Sequence, residues 1–233
     1  MALERLVISP SQQPHNQYAG AGDGFYDSEQ YWMQKLADIV KKRVDEQGWG
    51  IKCTVVKEGS VGGQVRKSNA LNATEHVALH TNADGGTGTL VIHYPTSTKG
   101  AALARALYAP IAAASDTKDV GIWGKSTYYE TRETHAPAVI IEYQFHDNAR
   151  DADEIRKSLD EYAEATVKGL AAYAKRPYKA PVVAPAPIKY YEVRIHTSEP
   201  EYASYAALAK KNNDFIVRYP SAKDSFVAWG KGV

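Results

Sequence analysis

The sequence has little of what marks exported, membrane or nucleic-acid-binding proteins. Its 233 residues include a single cysteine, Cys53, so no disulfide can form within the chain, as is usual for proteins made in a reducing compartment. No run of about 18 apolar residues is present, and the first residues lack the basic and apolar segments of a signal peptide. The net charge of +1 gives no field that would attract nucleic acid. We therefore expect a soluble protein that is made in the cytoplasm, binds no nucleic acid and does not insert into a membrane.

Proline is sparse except in one segment. The stretch "AKRPYKAPVVAPAPIKYY" carries Pro177, Pro181, Pro185 and Pro187. Proline at this density favours an extended, semi-rigid spacer. The sequence therefore predicts a first domain over residues 1–175, a proline-rich linker over 176–188 and a small C-terminal domain over 189–233.

The first domain alternates between two kinds of pattern. Apolar, strand-like segments such as "ERLVISP", "GIKCTVV" and "PAVIIEYQF" are separated by amphipathic helical ones such as "SEQYWMQKLADIVKKRVDEQG". We also expect one long last helix over residues 151–175. This alternation predicts a layered α/β domain around a largely parallel sheet, in which functional residues gather at the carboxyl ends of the strands.

Four ionisable residues stand near those predicted strand ends. "HVALHTNADGG" predicts a strand that ends near His80 and is followed by a polar, glycine-containing loop. The polar loop after the first strand carries His15. Glu29 opens the first long helix, where it also has a simple explanation as a partner of the helix dipole. His15 is equally explained as a surface residue and His80 as a core histidine. Glu142 is the hardest to explain structurally, because an unpaired carboxylate in an apolar strand needs an arginine, a proton or a metal to compensate it.

His76 and His80 lie four residues apart but do not form one metal site. In a strand they share a face, yet at about 3.3 Å per residue they are roughly 13 Å apart. The glutamate of this segment, Glu75, precedes the first histidine, so the helical HExxH motif is not matched. We therefore interpret His76 as structural.

Together, His15, Glu29 and His80 supply two imidazoles and one carboxylate. With a water molecule, this is the open ligand set of a hydrolytic zinc site, in which zinc lowers the pKa of the water to about 7. A further carboxylate must then carry a proton from the water to the leaving amine, and Glu142 is placed for that role.

Four motifs in order carry a resemblance to a known family. "SPSQQPHN", "SEQYWMQKLADIV", "HVALHTNA" and "APAVIIEYQFHDN" resemble the zinc-dependent N-acetylmuramoyl-L-alanine amidases, most of all the phage endolysin branch, over about residues 4–172. The resemblance implies zinc ligands at His15, Glu29 and His80 and a catalytic acid/base at Glu142. It also implies an α/β fold, a three-layer α/β/α domain with a mixed sheet of about six strands. The family's first segment is often "DPGHGG", from which "PHNQ" departs here.

The resemblance also implies a reaction and a partner. The enzyme would hydrolyse the amide that joins the muramic acid lactyl group to L-alanine in bacterial peptidoglycan. The segment "YETRETHAP" resembles a substrate-side loop, so Arg132 is a candidate ligand for a peptide carboxylate. Asn82 is a candidate for holding the polar cleft, although asparagine at a strand end is often a turn former. Without a signal peptide, a separate factor such as a holin would release the enzyme to the cell wall.

The C-terminal segment predicts a small α+β domain. "KYYEVRIHT", "DFIVRYP" and "DSFVAWGKG" read as strands, and "EPEYASYAALAKKNN" reads as a helix. The segment is rich in aromatic residues, which stack on sugar rings but also build small cores. Its place behind a linker favours cell-wall binding. A unit this small barely sustains a core, so self-association is one way to supply stability.

Two other functions stay open at this point. One is a different zinc peptidase, such as a carboxypeptidase-like enzyme acting on cell-wall peptides. Those enzymes typically carry an "HxxE" pair, whereas His15 and Glu29 are fourteen residues apart. The other is a non-catalytic wall-binding protein, which would have no use for a buried carboxylate at Glu142.

Overall fold

The computed structural model describes residues 3–20, 25–57, 59–117, 120–181, 190–196, 216–218 and 225–231. It divides the chain into two compact units, Met1–Pro181 and Val182–Val233. The first unit extends beyond residue 175, because the start of the predicted linker is bonded to it. Trp49 Nε1 donates to the Pro177 carbonyl at 2.9 Å, and the Lys179 amide donates to Gln47 Oε1 at 2.7 Å.

A mixed six-stranded sheet forms the centre of the first unit, in the order β2-β1-β3-β6-β4-β5. Strands β1, β2, β3 and β6 are parallel, whereas β4 runs antiparallel to β6 and parallel to β5. The strands are β1 (Arg5–Pro10), β2 (Lys52–Val55), β3 (Glu75–Asn82), β4 (Leu90–His93), β5 (Gly121–Gly124) and β6 (Ala138–Phe145).

Helices cover both faces of this sheet. Helices α1 and α3 each pack against α6 on one face, and α2 contacts α4 on the other. Right-handed crossovers explain this, because β1–α1–β2 and β2–α2–β3 step in opposite directions across the sheet. The predicted three-layer fold is therefore confirmed. The helices are α1 (Glu29–Glu46), α2 (Val61–Ala70), α3 (Thr98–Ala113), α4 (Tyr129–Glu133), α5 (Ala149–Lys157) and α6 (Leu159–Ala174).

The two faces of β3 and β6 have different chemistry. Leu79 and Ile141 point into the large apolar core beneath α1, α3 and α6. Because side chains alternate along a strand, His80 and Glu142 point to the opposite face. The alternation therefore separates the packing residues from the polar ones.

The single last helix predicted over residues 151–175 is two helices. Ser158 ends α5 and precedes α6 with φ −118° and ψ 27°, outside the helical region. Asp160 and Glu161 then occupy the first turn of α6, where acidic residues complement the helix dipole. The apolar stripe continues through the break, so periodicity alone did not reveal it.

The second unit contains an antiparallel three-stranded sheet with β9 in the middle. Its strands are β7 (Tyr190–His196), β8 (Ile216–Arg218) and β9 (Ser225–Lys231), which coincide with the three strands predicted there. The helix predicted over residues 199–213 and linker residues 182–188 lie outside the described part of the chain. None of the helices in the described ranges has the length and apolarity to span a membrane.

Candidate functional site

The carboxyl ends of the central strands form the candidate site. The chain steps from β1 to β2 on one side and from β2 to β3 on the other, so the strand order reverses at β1. Ligand sites of open α/β sheets lie at such reversals. Glu29 begins α1, His80 lies near the end of β3, and Glu142 pairs with His80 in the β3–β6 register. The structure therefore brings three of the predicted residues to one place.

Glu29 is fully buried and makes the closest contact with His80. Ser28 caps α1 by accepting a hydrogen bond from the Tyr31 amide, which fixes Glu29 in the first turn. Glu29 Oε1 lies 3.0 Å from His80 Nδ1 and accepts a 3.1 Å hydrogen bond from the Thr81 amide. Burial alone would raise the pKa of Glu29, but its contacts, led by the hydrogen bond with His80, hold that pKa below its ordinary value.

The turn after β1 lies directly beside this pair. Gln13 Nε2 is 3.5 Å from His80 Nδ1, and Asn16 Nδ2 donates a 2.6 Å hydrogen bond to Glu29 Oε2. His15 lies between these two residues, with an exposed side chain. The structure therefore places the His15 backbone next to Glu29 and His80 but does not bring its imidazole into contact with them. Nothing in the sequence pattern selects Gln13 or Asn16, because their contacts depend on the conformation of the loop.

Glu130 is a site residue that the sequence reasoning missed. Its Oε1 accepts a 2.6 Å hydrogen bond from Ser9 Oγ and lies 2.9 Å from His76 Nε2. Its Oε2 lies 3.6 Å from His80 Nε2, so one buried carboxylate contacts both histidines of β3. Burial opposes ionisation, but the hydrogen bond with His76 and the ion-pair contact with His80 lower the pKa of Glu130 well below its ordinary value. His76 is completely buried, in keeping with the structural role predicted for it.

Glu142 differs from the other two carboxylates because it lacks a partner. Its side chain is buried, and its Oε2 has no hydrogen-bond partner in the described structure. Burial raises the pKa of Glu142 to about 7; the nearby His80 opposes this rise, and the charges of Glu29 and Glu130 add to it. A carboxyl group with a pKa near neutrality is suited to both accept and donate a proton.

The site therefore places one imidazole among three carboxylates. Burial alone would lower the pKa of His80, but its contacts with the carboxylates of Glu130 and Glu29 raise it well above its ordinary value. Even with His80 protonated, the ionised forms of Glu29, Glu130 and Glu142 leave an excess of negative charge. That excess favours binding of a cation.

The chemistry of a zinc site fits part of this cluster. Glu29 and His80 Nδ1 present a carboxylate and an imidazole nitrogen side by side, and both are ordinary zinc ligands. In the part of the chain that the structure describes, no three His, Cys, Asp or Glu side chains converge as a complete metal site would require. Two of the three predicted ligands are therefore together, and the third, His15, lies on the adjoining turn.

The two candidate substrate residues have local partners. Arg132 is exposed on α4, where its Nε lies 2.7 Å from Glu133 Oε1 and its guanidinium stacks over Tyr129 at 5.7 Å. Asn82 Oδ1 accepts a 2.9 Å hydrogen bond from the Ala83 amide, which is the contact of a turn former. Neither contact involves Glu142.

The raised pKa of Glu142 predicts a pH-dependent cost in the metal-free protein. Because the folded-state pKa lies above the unfolded value of 4.5, stability present at low pH is lost as pH rises toward 7. The full cost above that range is about 3 kcal/mol. Glu142→Gln should therefore be more stable than the unsubstituted chain, and we expect this difference in the free energy of unfolding to be about 2 kcal/mol larger at about pH 8 than at about pH 5. Denaturant unfolding with a chelator present measures this difference, and a gap that stays constant with pH would contradict the assignment.

One family profile matches the chain. The profile of N-acetylmuramoyl-L-alanine amidase covers residues 7–172, which include every element of the site. No curated protein is significantly similar to the chain in sequence.

Solved structures share the fold of the first unit. The catalytic domain of CwlV, an amidase from Bacillus (Paenibacillus) polymyxa var. colistinus, superposes with a TM-score of 0.66 at 17% identity, covering 75% of this chain and 99% of that domain. An N-acetylmuramoyl-L-alanine amidase from Clostridium difficile 630 gives 0.63 at 22% identity, over 74% and 97% of the two chains. The catalytic domain of the CD27L endolysin, which targets Clostridia difficile, gives 0.59 at 21% identity, over 73% and 98%.

Proposed function

The chain belongs to the N-acetylmuramoyl-L-alanine amidase family, and we propose that it cleaves the amide between the muramic acid lactyl group and L-alanine with the help of a bound zinc ion. The family is generally zinc-dependent. The observation that carries the proposal for this chain is Glu142, a buried carboxyl without a partner beside the Glu29–His80 pair. Such an arrangement costs stability and is typical of a catalytic site.

Zinc would be held by Glu29, His80 and His15, and when bound it supplies a Lewis acid and lowers the pKa of a water molecule. Glu29 and His80 already lie side by side. His15 lies on an exposed turn whose neighbours Gln13 and Asn16 contact that pair. We propose that the His15 imidazole completes the ligand set from this turn.

Glu142 would move the proton of the reaction. Its carboxylate accepts a proton from the attacking water and donates it to the leaving amine of L-alanine. The absence of a partner on Oε2 leaves that oxygen free for this transfer. In the metal-free chain burial raises the pKa of Glu142 to about 7, so its carboxyl holds a proton far more readily than an exposed glutamate does.

Glu130 would position His80 rather than touch the substrate. Zinc-binding histidines usually donate a hydrogen bond from the N–H of their second ring nitrogen to a carboxylate. This bond fixes the tautomer and the orientation of the ring. Here His80 Nδ1 faces Glu29, and His80 Nε2 faces Glu130 at 3.6 Å. A proton on Nε2 leaves Nδ1 free to bind the metal.

We expect Glu130→Gln to weaken zinc binding by about 10- to 100-fold, because the neutral amide orients His80 less strongly. Competition with a chromophoric chelator measures the affinity. Glu133→Gln, on the same helix but exposed and paired with Arg132, is the matched control and should bind zinc normally. Unchanged affinity in Glu130→Gln, with only a lower melting temperature, would reduce Glu130 to a structural link between β1, β3 and α4.

Analysis of the products tests the proposed reaction directly. Purified chain is incubated with isolated peptidoglycan, and the soluble products are identified by mass spectrometry. An amidase releases intact stem peptides with free L-alanine amino termini and leaves peptide-free glycan. A carboxypeptidase would release single C-terminal amino acids, and a wall-binding protein would release nothing. Loss of activity with a chelator and its return with added zinc would support a role for zinc in the reaction.

We further propose that the chain acts as an endolysin at the bacterial cell wall, with the second unit as a wall-binding module. The support is the motif resemblance to the phage branch and the endolysin domain among the structural neighbours. On this proposal a separate factor, such as a holin, releases the enzyme from the cytoplasm to the wall. Self-association through the second unit would supply stability that so small a core lacks.

A chain that ends at Pro181 should fold and hydrolyse soluble muramoyl peptides as the full chain does, because all site residues lie in the first unit. Its pelleting with whole walls should weaken, since a tethered second contact raises the effective concentration. A chain that ends at Lys175 is the control for the boundary. It should melt at a lower temperature, because it loses the bonds that Pro177 and Lys179 make with Trp49 and Gln47. Equal pelleting by the full and Pro181 chains would contradict a targeting role.

A further inference from the structure

Three exposed aromatic side chains lie in the segment that links β5 to α4, the helix that carries Glu130. Trp123, Tyr128 and Tyr129 are 41%, 38% and 43% exposed, and they lie within one short segment around the end of β5 and the start of α4. Aromatic side chains are enriched at binding surfaces. The segment from Gly121 to Tyr129 also contains no acidic residue. Its aromatic rings and its one lysine, Lys125, therefore suit a partner with flat faces and hydrogen-bond acceptors.

The strand register places Trp123 on the same face of the sheet as Glu142. Trp123 pairs with Ile92, which pairs with Ile140, two residues before Glu142. Ile92 and Ile140 pack together in a small cluster on that face. With strands about 4.8 Å apart and about 3.3 Å per residue, the Trp123 and Glu142 Cα atoms lie roughly 12 Å apart. The indole is therefore close to the site but does not touch it.

Tyr128 lies between Trp123 and the site residue Glu130 in the sequence. It is the residue before α4, and Glu130 in the first turn of that helix contacts His80. Partial burial and, to a smaller extent, the charge of Glu142 raise the pKa of Tyr128. The aromatic segment thus connects β5, at the edge of the sheet, with the helix that carries Glu130.

We propose that Trp123 and Tyr128 form a stacking surface for the sugar rings that flank the reacting muramic acid in a glycan strand. This inference rests on the proposed function, because the glycan is covalently continuous with the bond that the site would cleave. Sugar rings have flat faces of C–H groups and hydroxyl edges, and aromatic rings are suited to the former. Lys125, whose ammonium lies 5.3 Å from the Trp123 ring centre, can donate hydrogen bonds to the hydroxyls. The surface would favour polymeric glycan over single muramoyl peptides.

Two substrates separate the glycan surface from the catalytic centre. One is a soluble glycan oligomer that carries stem peptides, and the other is a single muramoyl peptide without neighbouring sugars. In the full chain, Trp123→Ala should raise KM for the oligomer by about tenfold and leave kcat unchanged. Its kinetics on the single muramoyl peptide should equal those of the unsubstituted chain. Trp123→Phe keeps a ring and should restore most of the affinity, whereas Trp123→Leu keeps only apolar bulk and should not.

Other outcomes would overturn the inference. Equal losses on both substrates would assign the indole to peptide binding or to local structure, and no loss on either would exclude a role in binding. Binding of peptide-free glycan to Glu142→Gln, with and without Trp123→Ala, provides a readout that does not require turnover. If the unsubstituted chain cleaves neither substrate, the proposed function fails, while this binding comparison still decides whether Trp123 holds glycan.

Discussion

Glu142→Gln is expected to reduce turnover by roughly 10²–10⁴-fold, the range that general acid–base catalysis supplies. Glutamine has nearly the same shape as glutamate but cannot accept a proton from water. The fold should persist, because the substitution exchanges a buried, unpartnered carboxyl for a neutral amide. Zinc should stay bound, since Glu142 is not among the proposed ligands. Lysis of isolated walls, zinc content and melting temperature are measured on the same preparation.

Glu75→Gln is the matched control for this variant. Glu75 is also a buried glutamate in the central sheet, and burial raises its pKa too, but it lies at the opposite end of β3 from the site. Its substitution should leave turnover unchanged. Wild-type lysis by Glu142→Gln would remove Glu142 from the mechanism. A lower melting temperature with activity retained would assign it a structural role instead.

Zinc should be lost almost completely from Glu29→Ala, His80→Ala and His15→Ala after dialysis, because each substitution removes one of three protein ligands. Metal analysis by mass spectrometry measures the content. His76→Ala should keep its zinc but melt at a lower temperature, since it removes a buried contact to Glu130. Full zinc content in His80→Ala would refute the central assignment.

His15→Ala is the most informative variant of this series, because it tests the proposed ligand whose side chain does not contact Glu29 or His80 in the structure. Its side chain is exposed, whereas the flanking Gln13 contacts His80 directly. Gln13→Ala is therefore the matched control, and it should retain zinc if His15 is the third ligand. Zinc retained in His15→Ala but lost in Gln13→Ala would move the third ligand position to Gln13.

The sequence was sufficient for the parts of the fold that rest on periodic patterns. An apolar run followed by polar residues predicts strand β3, and the same polar end predicts His80 as a site residue. Glu142 could be predicted as a site residue because a carboxylate within an apolar strand is costly to bury without a functional reason. Glu29 followed from its place at the start of an amphipathic helix. Each of these signals is local, so each could be read without knowledge of the tertiary structure.

The missed features depend on contacts between distant residues or on short elements. Glu130 lies on a five-residue helix without an apolar period, and its contacts are to residues on β1 and β3. Strand β5 has only four residues, with Gly121 and Gly124 at its ends, so it shows no alternation. Tertiary pairing with β4 makes it a strand. The orientation of the His15 side chain depends in the same way on loop conformation.

The alternation of side chains along β3 and β6 limits how these strands can change in length. Moving His80 by one position would turn Leu79 toward the carboxylates and send the imidazole into the apolar core. A single inserted or deleted residue in either strand would thus exchange the positions that face the candidate site with those that face the apolar core. A change of two residues preserves the faces but shifts His80 by about 6.6 Å along the sheet relative to Glu29. Length variation among related enzymes should therefore occur in the loops rather than in these two strands. A change inside a strand would have to be absorbed by a bulge, such as the register shift between His80 and Asn82.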